Sequence, residues 1–206
     1  MIRIRTVIIG LAWAALAACA TLQPVRQESA STFALEARIA RGAALPSPDA
    51  PNLVVSPARA WAGFDSPRMA YVRTPHKLEY FAKNQWIDSP ARMLTPLLIQ
   101  ATESSGAFGA VTTPGSGVAA QLRLESEVVR LQQEFTAAPS RVRFTLRVQL
   151  IDVAARKVLA TREFDVTEKA PSEDPYGGVV AANLAVSRAL GEVKDFCIAQ
   201  VKKPRP

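Results

Sequence analysis

The chain has 206 residues, 49% of them hydrophobic and 21% charged, which is close to ordinary globular proportions and long enough for one domain with a sizeable core. Lys and Arg number 25 against 18 Asp and Glu, a formal net charge of +7. That surplus is mild and scattered, which argues against a nucleic-acid footprint while allowing attraction to anionic headgroups.

The chain opens with Arg3 and Arg5, then an uncharged apolar run from about Val7 to Ala18. A membrane-spanning helix needs about 20 apolar residues. This run is shorter, is flanked by small residues and has no stop-transfer pattern after it, so residues 1–18 read as a cleaved secretory signal. Loss of Arg3 and Arg5 takes the formal charge from +7 to +5. The end of the run, Leu16-Ala17-Ala18-Cys19, resembles the lipobox of bacterial lipoproteins. That resemblance implies a diacylglycerol on the Cys19 thiol, cleavage just before it and acylation of the freed amine. Each buried methylene of such chains contributes about 0.8 kcal/mol, so several chains together anchor a protein almost permanently. Residues 19–31 carry no hydrophobic period and read as a lipidated tether, whose stretch from Ala20 to Ser31 spans about 40 Å when extended.

From residue 32 to residue 201 the pattern predicts a single α+β domain, with an antiparallel or mixed sheet packed by two main helices. Phe33, Leu35, Ala37 and Ile39 alternate within residues 32–40, which predicts a strand. Residues 52–60 predict a second strand that breaks or meets an edge at Pro57. "MAYVRT" and "KLEYFA", separated by Pro75 and His76, are two short pieces that can form a hairpin. At Asp88 the period changes: candidate caps Asp88 and Ser89, then Pro90 in the first turn, open a helix that ends near Gly106. Met93, Leu94, Leu97, Leu98 and Ala101 give it an apolar face, and Pro96 should bend it or mark its true start. A short strand and a glycine-proline turn follow within "GAFGAVTTPGSG".

The clearest sheet signal is "RVRFTLRVQLID", where Val142, Phe144, Leu146, Val148 and Leu150 share one face. In the strand before it Leu122, Leu124 and Val128 are in phase, yet Arg130 then falls on the apolar side and Val129 and Leu131 off it, which predicts a bulge near Val128 and Val129. A hairpin through "TAAPS" lets Glu125 and Glu127 oppose the outer arginine row. "KVLATREFDV" adds another strand. A closing helix carries Val179, Ala182, Val186, Leu190, Val193, Cys197 and Val201 at spacings of three and four, so Cys197 belongs to its buried stripe. Residues 202–206, "KKPRP", read as a solvated basic tail.

A search for chemistry gives no enzyme. His76 is the sole histidine, it lies between Pro75 and Lys77 in an expected turn, and the chain has no nucleophile elbow on which to build a triad. One histidine with one cysteine beyond Cys19 makes no zinc pattern. "GSGVAA" imitates a dinucleotide loop but enters a strand, where a phosphate site needs a helix N-terminus. No catalytic residue, metal ligand or cofactor is expected beyond the covalent lipid on Cys19. Ser66 to Ile99 is distinctive, with Tyr71, Tyr80, Phe81 and Trp86 interleaved with basic residues. Tyr71, Tyr80 and Trp86 can be core, or Arg68, Tyr71, Arg73, Tyr80 and Trp86 can form a rim that docks another protein.

The lipobox, the aromatic and leucine of the first strand, "SPRMAYVR", the short "LEY" strand, "NQW" before a helix and a late pair of long strands closed by a C-terminal helix together resemble the ABC-type transport auxiliary lipoprotein family, which includes the paraquat-inducible protein C group. The order covers nearly all of residues 33–201. The chain departs from the family at "ARAWAGFD", which is bulkier than the usual strand end there. The resemblance implies a non-catalytic subunit of an intermembrane lipid transport system. Its partners are then an MCE-domain protein and, through it, an ABC permease and ATPase. Ala20, in place of the aspartate that commonly retains lipoproteins in the inner membrane, implies an outer-membrane anchor facing the periplasm. The alternative is an envelope-assembly or regulatory lipoprotein that uses the same domain as a tethered binding module.

Overall fold

The computed structural model describes residues 30–39, 47 and 49–202. The expected signal, Cys19, nearly all of the tether and the tail beyond Lys202 lie outside the described residues. In chain order the elements are β1 (Ser31–Phe33), β2 (Leu53–Val55), β3 (Arg59–Ala60), β4 (Arg68–Val72), β5 (Leu78–Trp86), α1 (Pro90–Glu103), β6 (Val111–Thr112), β7 (Leu122–Glu134), β8 (Arg141–Asp152), β9 (Lys157–Lys169) and α2 (Pro175–Val201). The architecture is the expected α+β fold, a mixed sheet with two helices.

β7 is the axis of the sheet. On one edge it pairs antiparallel with β8 along its whole length, and β8 pairs antiparallel with β9. The other edge is shared by three short parallel strands, β2 at Leu122–Leu124, β3 at Glu127–Val128 and β4 at Gln132–Glu134. β6 extends β2, while β5 and then β1 extend β4. The expected strand over 52–60 is thus two strands, β2 and β3, with Pro57 in the break between them.

Alternation sends Leu122, Leu124 and Val128 of β7, with Val142 to Leu150 of β8, to one face, where all are nearly or fully inaccessible. The predicted bulge is present: Val128 pairs with Leu146 and Arg130 with Thr145, leaving Val129 as the extra residue. The bulge resets the phase, so Leu131 returns to the core and Arg130 to the open face.

Both helices cover the apolar face, α2 over β8 and β9, and α1 over β2, β3, β6 and β7. The stripe from Val179 to Cys197 is buried as expected, and Ala181, Ala185 and Ala189 widen it. α2 starts at Pro175 with Asp174 as its cap, whose Oδ1 accepts from the Gly177 amide at 2.7 Å. Gly178 lets the helix approach β7 closely, since a Cβ there would lie 2.3 Å from Oε1 of buried Gln133. α1 starts at Pro90 as expected and runs unbroken through Pro96, whose ring sits on its exposed side. Ser89 makes no side-chain cap; Asp88 accepts from the Ser89 amide at 2.7 Å and pairs with Arg92 at 3.1 Å.

The strand expected over 32–40 is corrected. Only Ser31–Phe33 joins the sheet, parallel to Asn84–Trp86. Leu35 is buried, with Ala37 and Ile39 packed against the core, so the alternation is real. Its backbone, however, bonds to a helix: the Glu36 amide donates to Asn183 Oδ1 at 2.7 Å and the Arg38 amide to Ser187 Oγ at 3.1 Å. Period two reports one buried side, and one turn of α2 supplies acceptors at i and i+4 that replace a neighbouring strand. Replacing both Asn183 and Ser187 by Ala is therefore expected to raise amide exchange at Glu36 and Arg38 by about tenfold or more, leaving β8 amides protected, as local opening is separable from global unfolding. Exchange-resolved mass spectrometry or NMR checks this.

Candidate docking surface

The five residues read as a possible docking rim all lie on the β4–β5 hairpin and its turn, and the pleat divides them between faces. Ala70 pairs with Tyr80, Tyr71 with Glu79 and Val72 with Leu78. Alternation then puts Ala70, Val72, Leu78 and Tyr80 on the open face of the sheet, and Met69, Tyr71 and Phe81 on the helix-bearing face.

On the open face the Arg68 guanidinium lies 3.9 Å from the Tyr80 ring centroid and its Nε donates to Ser66 Oγ at 3.3 Å. Tyr80 Oη donates to the Gly63 carbonyl at 3.0 Å, tying the β3–β4 loop to the hairpin. Gly63 has φ +94, a conformation that favours glycine at this contact. The same loop presents Trp61, 50% exposed, at an open groove it shares with Phe64, Leu78 and Val129. On the other face Tyr71 packs on Phe81 at 4.5 Å and on Phe135 at 6.0 Å, with Arg73 5.0 Å over Tyr71. Trp86 is 4% exposed within the core and presents no surface to a partner. Of the five expected rim residues, the structure joins Arg68 with Tyr80 and Arg73 with Tyr71 on opposite faces, and gives Trp86 to packing. Sequence reasoning missed Trp61, although it marked the "ARAWAGFD" stretch as unusual.

Part of the charge on the rest of the open face is paired. Glu125 pairs with Arg59 at 3.4 Å and Arg123 at 3.9 Å, and Glu127 stands opposite Arg147, which also faces Glu163. Glu127 thus opposes the arginine row as expected, but Glu125 faces Gln149, and Arg143 finds its carboxylate on β9. The Arg143 guanidinium donates to both oxygens of Asp165, and Thr145 Oγ1 adds a bond of 2.8 Å. The Arg143 hydrogen bond holds the Asp165 carboxyl below its ordinary value and lifts the arginine's. A carboxylate depressed in the folded state contributes stability that is complete above its unfolded value and is lost as pH falls through its folded one. Both side chains are about 40% exposed, so the pair contributes only some tenths of a kcal/mol. Wild type is expected to lose about 1–2 °C more Tm than Asp165→Asn between pH 7 and strongly acid solution, measured by thermal unfolding.

His76 occupies the exposed hairpin turn at φ 68. "GSGVAA" lies ahead of β7, with Gly115 and Gly117 at positive φ in a turn and no helix following. Among the described residues no group of His, Cys, Asp and Glu could hold a metal ion. Cys197 is fully buried and burial pushes its thiol up to about 12. Alkylation at pH 8 is expected to be at least about 100-fold slower in the native protein than in denaturant, read by mass spectrometry.

Residues 33–195 match the family of the ABC-type transport auxiliary lipoprotein component. The chain belongs to this family. It is accordingly a membrane-anchored envelope lipoprotein associated with an ABC transport system, and the family description is that of an accessory component. No curated protein matches it. Among solved structures, a Xanthomonas campestris protein shares 22% identity at a TM-score of 0.71, over 82% of this chain and 96% of that one. A hypothetical protein from Chlamydia trachomatis shares 10% at 0.53, over 74% and 99%. Both likenesses show the auxiliary lipoprotein's fold.

Proposed function

We propose that this auxiliary lipoprotein is the non-catalytic subunit of an ABC/MCE-type intermembrane lipid transport system, docking the periplasmic lipid conduit at the outer membrane. Family membership carries the reading. The partner is an MCE-domain protein, and through it the permease and ATPase. Cys19 bears the anchor, and Ala20 after it directs sorting outward. The energy this subunit supplies is that of binding.

The open face of the β4–β5 hairpin suits such contact. Trp61 is a half-exposed aromatic on the loop that Tyr80 ties down, and Arg68 is stacked on that tyrosine, the residue types that serve as interface anchors. The Gly63 and Tyr80 bond fixes the loop beforehand, lowering the ordering cost of association. Truncating an anchor costs about 2 kcal/mol, or roughly 30-fold in Kd. Trp61→Ala and Arg68→Ala are expected to weaken capture of the cognate MCE-domain protein by that factor with unchanged melting. Arg73→Ala, on the opposite face, should stay within about twofold. Trp86→Ala should instead lose about 3–5 kcal/mol of stability and bind less only by unfolding. Unchanged affinity in well-folded Trp61 and Arg68 variants would move the contact elsewhere.

A further inference from the structure

The direction in which the chain enters the domain bears on how the domain stands on its membrane. β5 begins with Leu78 at the end of the sheet where β7 reaches Glu134, and β1 runs parallel to it with Ser31 beside Asn84. The N-terminal end of β1 therefore faces the Glu134 end. At about 3.4 Å per residue Ser31 lies roughly 10 Å from that end and about 30 Å from the opposite one, where Leu122 pairs with Asp152. Residues 20–30 reach at most about 35–40 Å. Placing the Leu122 end against a bilayer would draw nearly all of that reach straight back along the sheet, a state of low chain entropy. The Glu134 end leaves most of the reach free.

That end also has a fitting surface. The Ser140 amide donates to Glu173 at 2.7 Å and Gln133 Nε2 to the Asp174 carbonyl at 3.3 Å, fixing the first turn of α2 beside the β7–β8 loop. Tyr176 in that turn is 63% exposed. The Tyr71, Phe81 and Phe135 cluster lies at the same end and none of its rings is fully buried. Arg73 is exposed over two of the rings and has no carboxylate partner among the described residues. A largely exposed tyrosine, its ring 6.2 Å from that of Phe33, suits the boundary between headgroups and acyl chains, and a guanidinium free of carboxylate suits the phosphates there.

We infer that the Glu134 end of the domain, formed by the β4–β5 turn, the β7–β8 loop and the first turn of α2, seats on the phospholipid headgroup layer through Tyr176 and Arg73. This rests on acylation of Cys19 and is independent of the docking reading, because its test contains no partner protein. The acylated full chain is reconstituted in vesicles of phosphatidylethanolamine and phosphatidylglycerol. A dye is placed on Ala137→Cys at the Glu134 end or on Ala154→Cys in the β8–β9 turn; native Cys197 is buried and Cys19 acylated, so neither competes. Quenching by a headgroup nitroxide lipid should be at least about fivefold stronger at position 137. Equal or reversed quenching overturns the orientation. Adding Arg73→Ala and Tyr176→Ala, with melting unchanged, should cut that ratio by at least half; an unaltered ratio overturns their role as contacts. Cys19→Ser should fail to float with vesicles; failure of the wild-type chain to float would overturn the anchor and this inference together while leaving capture of an MCE-domain protein in solution unaffected.

Discussion

One strand has to satisfy four neighbours. β7 gives its full length to β8 and divides its other edge among β2, β3 and β4, so every part of the sheet is positioned against it. The single extra residue at Val129 lets this happen. Without it, a strand with Leu122 and Leu124 inward would carry Arg130 into the core and Leu131 out of it. With it, both halves of β7 contribute to one apolar face, and α1 and α2 have a continuous layer to cover. The bulge also turns Val129 to the open side, where it lines the groove beneath Trp61.

The surface chemistry follows from the pleat of the hairpin that β7 holds at its end. Two arginine-aromatic pairs close in sequence, Arg68 with Tyr80 and Arg73 with Tyr71, diverge to opposite faces because their residues differ by one in strand parity. One hairpin can thus address two environments. Elsewhere on the open face part of the charge is paired, Arg59 with Glu125 and Arg143 with Asp165.

Much of this is legible in the sequence where one physical rule acts alone. The β8 alternation, the bulge, the helix opening at Pro90 and the stripe of α2 all come from periodicity meeting a single buried side. Legibility fails where two structures share a period. Phe33 to Ile39 alternate as a strand does, yet the acceptors for Glu36 and Arg38 are 147 and 149 residues away on a helix, a partnership no local pattern encodes. Charge pairing behaves likewise: parity sets Glu125 against the arginines of β8, but its carboxylate goes to Arg59 and Arg123, and Arg143 pairs with Asp165 on β9. At the candidate surface the hairpin is readable and its division between faces is not, because setting Tyr71 opposite Glu79 and Tyr80 opposite Ala70 depends on the register fixed by the turn between Val72 and Leu78. Trp61 stood out only as an oddity of size, and its exposure depends on a loop whose course is set by Gly63 and Tyr80.

The parallel seating of β1 against β5 has a mechanical meaning. A pull arriving through the residues ahead of Ser31 acts along the strand axis, so the bonds between Ser31–Phe33 and Asn84–Trp86 are loaded together in shear instead of being peeled one at a time. Behind that short clamp, the ties of Glu36 to Asn183 and Arg38 to Ser187 carry any remaining load into α2, and through its buried stripe into β8 and β9. Force entering at the first described residues is thereby spread over the whole domain before it can reach the loop that presents Trp61.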